Sequence, residues 1–276
     1  MPCGGALRPS PKDASEESET PRRLAQGNVP PFETALALAA CMFVVAALYT
    51  SVGHGGASAY LALMALFSVA PATMRPTALA LNIIVASFAS FRYVRAGLFS
   101  WRVLWPFVLG AIPAAFVGGT IQIQSEYYRP IVGALLFLAA ARLLWPDPNA
   151  VRRTPQNPPI IAGVAGGAGI GLLSGLTGTG GGIFLTPLLL LLGWCEARVA
   201  LGVGAVFVLC NSIAGLSGNL ASMRSLPPEL PIYAVVVLAG ACVGTYLGIN
   251  RFARGAILKA LALVLVIAGI KLVAGP

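Results

Sequence analysis

An all-α, polytopic membrane protein is the fold class this sequence predicts, with about 8–10 transmembrane segments in two inverted repeats that carry broken or short helices. Three observations predict it. The 276 residues are 57% hydrophobic and only 10% charged, whereas a soluble domain carries about 25% charged residues. The apolar residues fall in blocks, and a membrane-crossing helix needs roughly 20 of them in a row. The second half of the chain also repeats features of the first, with its basic connections in exchanged places.

Residues 1–32 open the chain as a polar tail of mixed charge. They lack the apolar core of a signal peptide and predict a disordered segment. Ten apolar segments follow, near 33–52, 57–70, 76–91, 103–122, 130–145, 160–177, 182–193, 199–220, 231–249 and 255–274. The first five make a repeat over 33–145 and the last five a repeat over 160–276. Between them, 146–159 is a polar linker with Pro146, Pro148, Pro155, Pro158 and Pro159. Segments 57–70 and 182–193 are too short to cross alone, since they reach roughly 20 Å against about 30 Å of hydrocarbon.

The short segments carry the repeat signal. Each directly follows a glycine cluster: Gly53, Gly55 and Gly56 around His54, and Gly178, Gly180, Gly181 and Gly182 around Thr179. Asn82 and Asn211 follow at similar distances. Gly110, Ala114 and Gly118 match Gly240, Gly244 and Gly248, and these faces, with Gly163, Gly167, Gly171 and Gly175, read as helix-packing stripes.

Charge gives the orientation. The formal net charge is +9, and none of it comes from the tail, where four basic and four acidic residues cancel. The 92–102 region has Arg92, Arg95 and Arg102, while its counterpart 221–230 has only Arg224 beside Glu229. The next connection has Arg129 beside Glu126, while its counterpart has Arg251, Arg254 and Lys259. Basic connections that alternate between halves fit inverted repeats under the positive-inside rule. Scattered arginines between apolar blocks are topological signals, so nucleic acid is not an expected partner.

The candidate site is built on the two clusters. Glycine breaks a helix, and the next half-helix presents its positive N-terminus and free N–H groups to the same place. Two such breaks make an anion cradle from Gly53, His54, Gly55, Gly56, Ser58, Thr177, Gly178, Thr179, Gly180, Gly181 and Gly182. Ser51 is a further hydroxyl beside the first cluster, and Asn82 and Asn211 are matched neutral donors. Arg75 and Arg198, beside the short segments, read as helix-end arginines that also lend positive potential. His54 is the only histidine. An ordinary imidazole titrates near ~6.5 and could couple transport to protons, though a hydrogen-bonding or buried structural role is equally open.

None of the nine acidic residues falls deep in a predicted segment. Carriers of cations and protons use intramembrane carboxylates, so the expected substrate is a small anion. Proton or sodium coupling and the oligomeric state stay open. No P-loop, Rossmann glycine pattern or nucleophile elbow is present, so no enzyme and no cofactor are expected. The five cysteines form no metal-binding pattern, and Cys41, Cys210 and Cys242, inside apolar segments, read as packing residues.

The run Ser174-Gly-Leu-Thr-Gly-Thr-Gly-Gly-Gly-Ile-Phe-Leu-Thr-Pro-Leu188 resembles the signature of the sulfite exporter TauE/SafE family. Ser51–Leu63 is similar to its weaker first-half copy, departing from it at His54 and lacking the proline. The resemblance implies a secondary transporter of sulfite, organosulfonate or thiosulfate in the cell membrane. It also implies that Thr179 and the Gly178–Gly182 cluster contribute to the site. The competing expectations are a non-transporting membrane protein, such as an assembly factor or sensor, and a carrier of another small solute. Reporters fused in 92–102 and in 251–259 are expected to report the same side of the membrane, and opposite sides would refute the inversion.

Overall fold

The computed structural model describes residues 32–51, 53–144, 156–222 and 230–250, with positions 266, 270 and 273 of the last apolar segment. The polar tail, most of the linker and, apart from those three positions, the predicted segment 255–274 lie outside the described residues. The helical body is the unit Leu38–Pro276, and Met1–Ala37 form a separate unit.

Among the described residues the chain forms nine helices and no strand. They are α1 (Phe32–Ser51), α2 (Ala57–Leu66), α3 (Pro71–Arg95), α4 (Trp101–Thr120), α5 (Ser125–Leu144), α6 (Ile160–Thr177), α7 (Gly182–Leu191), α8 (Ala197–Ser222) and α9 (Leu230–Asn250). Each of the first nine predicted segments is one of these helices. The largest shifts are at α3 and α5, which begin at Pro71 and Ser125 rather than at 76 and 130. An apolar run stops at Arg75 or Arg129, but helical hydrogen bonding does not. Pro71 at the first helical position after extended Ala70 marks the α3 start.

α3, α4, α6, α8 and α9 are each long and apolar enough to cross a bilayer. Their outward faces carry exposed Phe116, Ile161, Val235 and Tyr246, a surface suited to lipid rather than water. α2 and α7 have 10 residues each, about 15 Å of helix and half of the hydrocarbon thickness. α2 is buried from Ala57 through Ala65. An apolar helix buried all round is a core element.

Glycines set which helices meet. Added Cβ atoms at Gly163, Gly167, Gly171 and Gly175 of α6 would strike Pro106, Phe107, Ala111 and Ala115 of α4, in that order. The numbers rise together, so α4 and α6 run parallel with backbones nearly touching. In the same way Gly240, Gly244 and Gly248 of α9 lie on Phe43, Ala47 and Ser51 of α1. α3 and α8 cross the other way. Leu79 meets Gly215, Asn82 bonds Ser212, and Tyr93 packs on Gly202, so these two helices are antiparallel. Gly248 also meets the Tyr93 hydroxyl, which places the end of α9 beside the end of α3.

The turn between α7 and α8 tucks Cys195 into an apolar cluster with Leu189, Leu190 and Phe207. Burial, reinforced by Glu196, pushes its thiol up to about 12. This is a packing cysteine and not a nucleophile or metal ligand.

Substitution of Gly167 by Val is expected to wedge α4 from α6, because its first carbon already runs into the Phe107 carbonyl. Overpacking costs about 1–3 kcal/mol, read as a lowered thermal midpoint in detergent. Gly169→Ala, which meets nothing within 4 Å, should leave that midpoint unchanged or raised.

Candidate functional site

The two glycine clusters share left-handed glycines at their first and last positions, while Gly180 (φ 76°) is left-handed and its counterpart Gly55 is not. α1 is followed by left-handed Gly53 (φ 74°), and α6 is capped by left-handed Gly178 (φ 83°). Three residues further on, left-handed Gly56 (φ 97°) and Gly181 (φ 79°) start α2 and α7. An L side chain avoids this region, so the chain stops one helix and starts another only because these positions are glycine. The Ala59 and Tyr60 N–H groups donate to the Gly56 carbonyl, and those of Phe184 and Leu185 to the Gly181 carbonyl. The first N–H groups of a helix have no intrahelical acceptor, so each short helix opens onto polar, partly positive backbone.

Both openings face one crevice. It is lined by Tyr49, His54, Gly55, Gly56, Ala57, Ser58, Thr179, Gly182, Ile183 and Val208. The crevice is too narrow to hold a water molecule. The first cluster contributes the His54 ring, 6.3 Å from the Tyr49 ring and perpendicular to it. Ser58 donates its hydroxyl to Tyr49 at 3.2 Å. The second cluster contributes Thr179, whose hydroxyl lies 3.2 Å from that of Thr177. An added Cβ at Gly182 would come within 3.5 Å of His54 Cδ2, so the two clusters touch.

Asn82 is the hub behind the crevice. Its Oδ1 accepts the Ala57 N–H at 3.3 Å, capping α2, and its Nδ2 donates to Ser212 Oγ at 2.8 Å. Side chains at Gly55 or Gly180 would collide with its amide. One fully buried residue therefore touches both clusters and α8. Asn211 is not its mirror image. Its Nδ2 donates to the Gly180 carbonyl at 3.2 Å, while its Oδ1 is buried with no partner.

Of the residues singled out from sequence, His54, Gly55, Gly56, Ser58, Thr179 and Gly182 line the crevice. Gly53, Asn82, Gly178, Gly180, Gly181 and Asn211 form its supporting wall. Thr177 donates its hydroxyl to Leu173 and accepts the Tyr128 hydroxyl on its carbonyl at 2.9 Å. Arg75 is 6% exposed and caps the end of α4, donating to the Gly118, Gly119 and Ile121 carbonyls at 2.7, 2.6 and 2.9 Å. Its stem packs on Gly178. Arg198 is exposed and reaches only the Ile249 carbonyl, at 3.4 Å. Both arginines thus meet the carbonyl ends of helices, where a cation is favoured, and neither lines the crevice. Tyr49, Ile183, Val208 and Ser212 were not legible as site residues. Tyr49, four residues ahead of Gly53, and Ser212, beside Asn211, carried the only polar signals. Among the described residues no cluster of His, Cys, Asp or Glu could hold a metal ion.

The sequence model of the sulfite exporter TauE/SafE family matches residues 38–272. This chain is a TauE/SafE family protein. It is also 36% identical over 244 residues to the "Probable membrane transporter protein y4hK" of Sinorhizobium fredii, covering 86% of this chain and 98% of that one. No solved structure matches it. As a TauE/SafE protein it is a multi-pass membrane protein of a transporter family, and the glycine clusters fall inside the matched region.

Replacing Asn82 by Ala is expected to uncap α2 and strand the Ser212 hydroxyl. Loss of a buried hydrogen-bonding partner costs about 1–3 kcal/mol, seen as a lowered melting midpoint of the purified protein.

Proposed function

We propose that this TauE/SafE protein is a secondary transporter of small anions across the cell membrane by alternating access. The foremost candidates are the sulfur oxyanions sulfite, organosulfonate and thiosulfate, bound in the crevice between the glycine turns. The observation that carries this reading is the convergence of two half-helix N-termini, at Gly56–Ser58 and Gly182–Ile183, on one crevice. Helix N-termini attract anions, and His54, Ser58 and Thr179 add donors without any carboxylate in the lining.

Two further features support it. The antiparallel crossing of α3 and α8, with the parallel pairs α4–α6 and α1–α9, is what repeats over 33–145 and 160–276 of opposite orientation would give. Transporters of that construction bind substrate where discontinuous helices meet near the midplane. The crevice has no room for a water molecule, so substrate must part its walls. His54 at the crevice makes a proton the first coupling ion to test, ahead of sodium. The sulfur class of the substrate rests on the family's description.

Purified protein in proteoliposomes is expected to move sulfite, a sulfonate or thiosulfate. Gly180→Leu, which forces a side chain into the Asn82 amide, should abolish that flux, and His54→Ala should lower it or remove its dependence on a proton gradient. Full flux in Gly180→Leu would sink the site assignment. No flux across a broad anion panel would sink the transport reading.

A further inference from the structure

A hydroxyl has one proton to give, and where no water fits, that proton needs an acceptor from the protein or from a ligand. By that rule the hydroxyls of the crevice differ. At the second break, Thr177 donates its proton to the Leu173 carbonyl at 2.7 Å. Its 3.2 Å contact with Thr179 therefore takes the Thr179 proton. At the first break, Ser58 donates its proton to the Tyr49 hydroxyl at 3.2 Å. Ser58 and Thr179 both line the crevice, but each has its proton engaged inside the protein and reaches a ligand only by giving up that bond.

Tyr49 is different. Its oxygen accepts from Ser58, and among the described residues nothing accepts its own O–H. Tyr49 is 2% exposed and lines the crevice. Ser58, which meets its hydroxyl, lines the crevice as well, so the hydroxyl end of Tyr49 stands there and not the ring alone. The ring is held perpendicular to that of His54. A phenol keeps its O–H in the plane of its ring, and the Ser58 proton already occupies one side of the oxygen. The lining contains no carboxylate to take the remaining proton, whereas an oxyanion brings acceptors on every oxygen.

Resting on the reading of this crevice as an anion site, we infer that Tyr49 is its substrate-binding donor. The phenol O–H donates to an oxygen of the bound anion, a charge-assisted hydrogen bond. Ser58 acts behind it as a positioning residue that holds the phenol oxygen in place. Tyr60 is the contrasting case. Its hydroxyl is also buried without a partner, but it lies over Gly56 and does not line the crevice. Spare hydroxyls that serve packing alone would make the two tyrosines equivalent, and binding separates them.

Initial uptake into proteoliposomes is measured against sulfite concentration, with methanesulfonate or thiosulfate as the probe if the wild type does not move sulfite. Tyr49→Phe keeps the ring beside His54 and removes only the hydroxyl. It is expected to raise the half-saturating concentration about tenfold or more, as loss of a hydrogen bond to a charged group does, with little change in the maximal rate. Ser58→Ala, which leaves the phenol proton in place, should raise it less, and Tyr60→Phe should leave it unchanged. 3-Fluorotyrosine at position 49, a stronger donor of nearly the same shape, should lower it below the wild-type value, a readout that a structural role does not move and that stands even if Tyr49→Phe fails to fold. An unchanged half-saturation in either Tyr49 variant, or an equal shift in Tyr60→Phe, overturns the inference while leaving the anion site standing. No flux of any anion by the wild type overturns the site reading itself.

Discussion

A helix broken inside a bilayer exposes backbone N–H and C=O groups where no water is present to satisfy them, and this structure is organised around meeting that demand. Both central breaks are repaired by side chains from elsewhere in the fold. At the end of α1, Tyr93 donates to the Thr50 carbonyl at 2.7 Å. At the end of α6, Tyr128 donates to the Thr177 carbonyl at 2.9 Å. At the start of α2, the Asn82 amide takes the free N–H, and at the end of α4 the Arg75 guanidinium takes three carbonyls. Of the four helix ends at these two breaks, the start of α7 is the one with no such side-chain cap among the described residues, and it borders the crevice.

The same constraint explains why glycine dominates the packing. Without water to drive helices together, contact in lipid depends on close approach. The α4–α6 and α1–α9 pairs reach backbone contact over several turns, so each pair behaves as one stiff unit. The α3–α8 crossing is of a different kind, because its centre is polar, with Asn82 bonded to Ser212.

Arg75 illustrates how a charge can be kept in such a place. It is the only buried residue among those described that carries a permanent charge. Its compensation is the negative end of a helix dipole rather than a carboxylate, so the site nearby keeps a positive character. Arg198, by contrast, is exposed and barely engaged. Leu201 packs on Gly53 as Arg75 packs on Gly178. The two glycine breaks are therefore backed by chemically unlike residues.

The apolar blocks, the two short helices and the glycines ahead of them were all determined by the sequence, because each depends on neighbours in the chain. Twenty apolar residues make a crossing helix, ten do not, and a glycine run interrupts both. Only the tertiary structure decided that the two interruptions share one crevice, that Asn82 caps α2 and lies against Gly180 while Asn211 leaves an oxygen unmatched, and that Arg75 turns away to cap α4. Residues 30 to 130 positions apart meet in these contacts, and periodicity carries no record of which donor finds which acceptor across such distances. Tyr49 and Val208 were invisible for the same reason: each looks like ordinary core until the opposite wall of the crevice is in place.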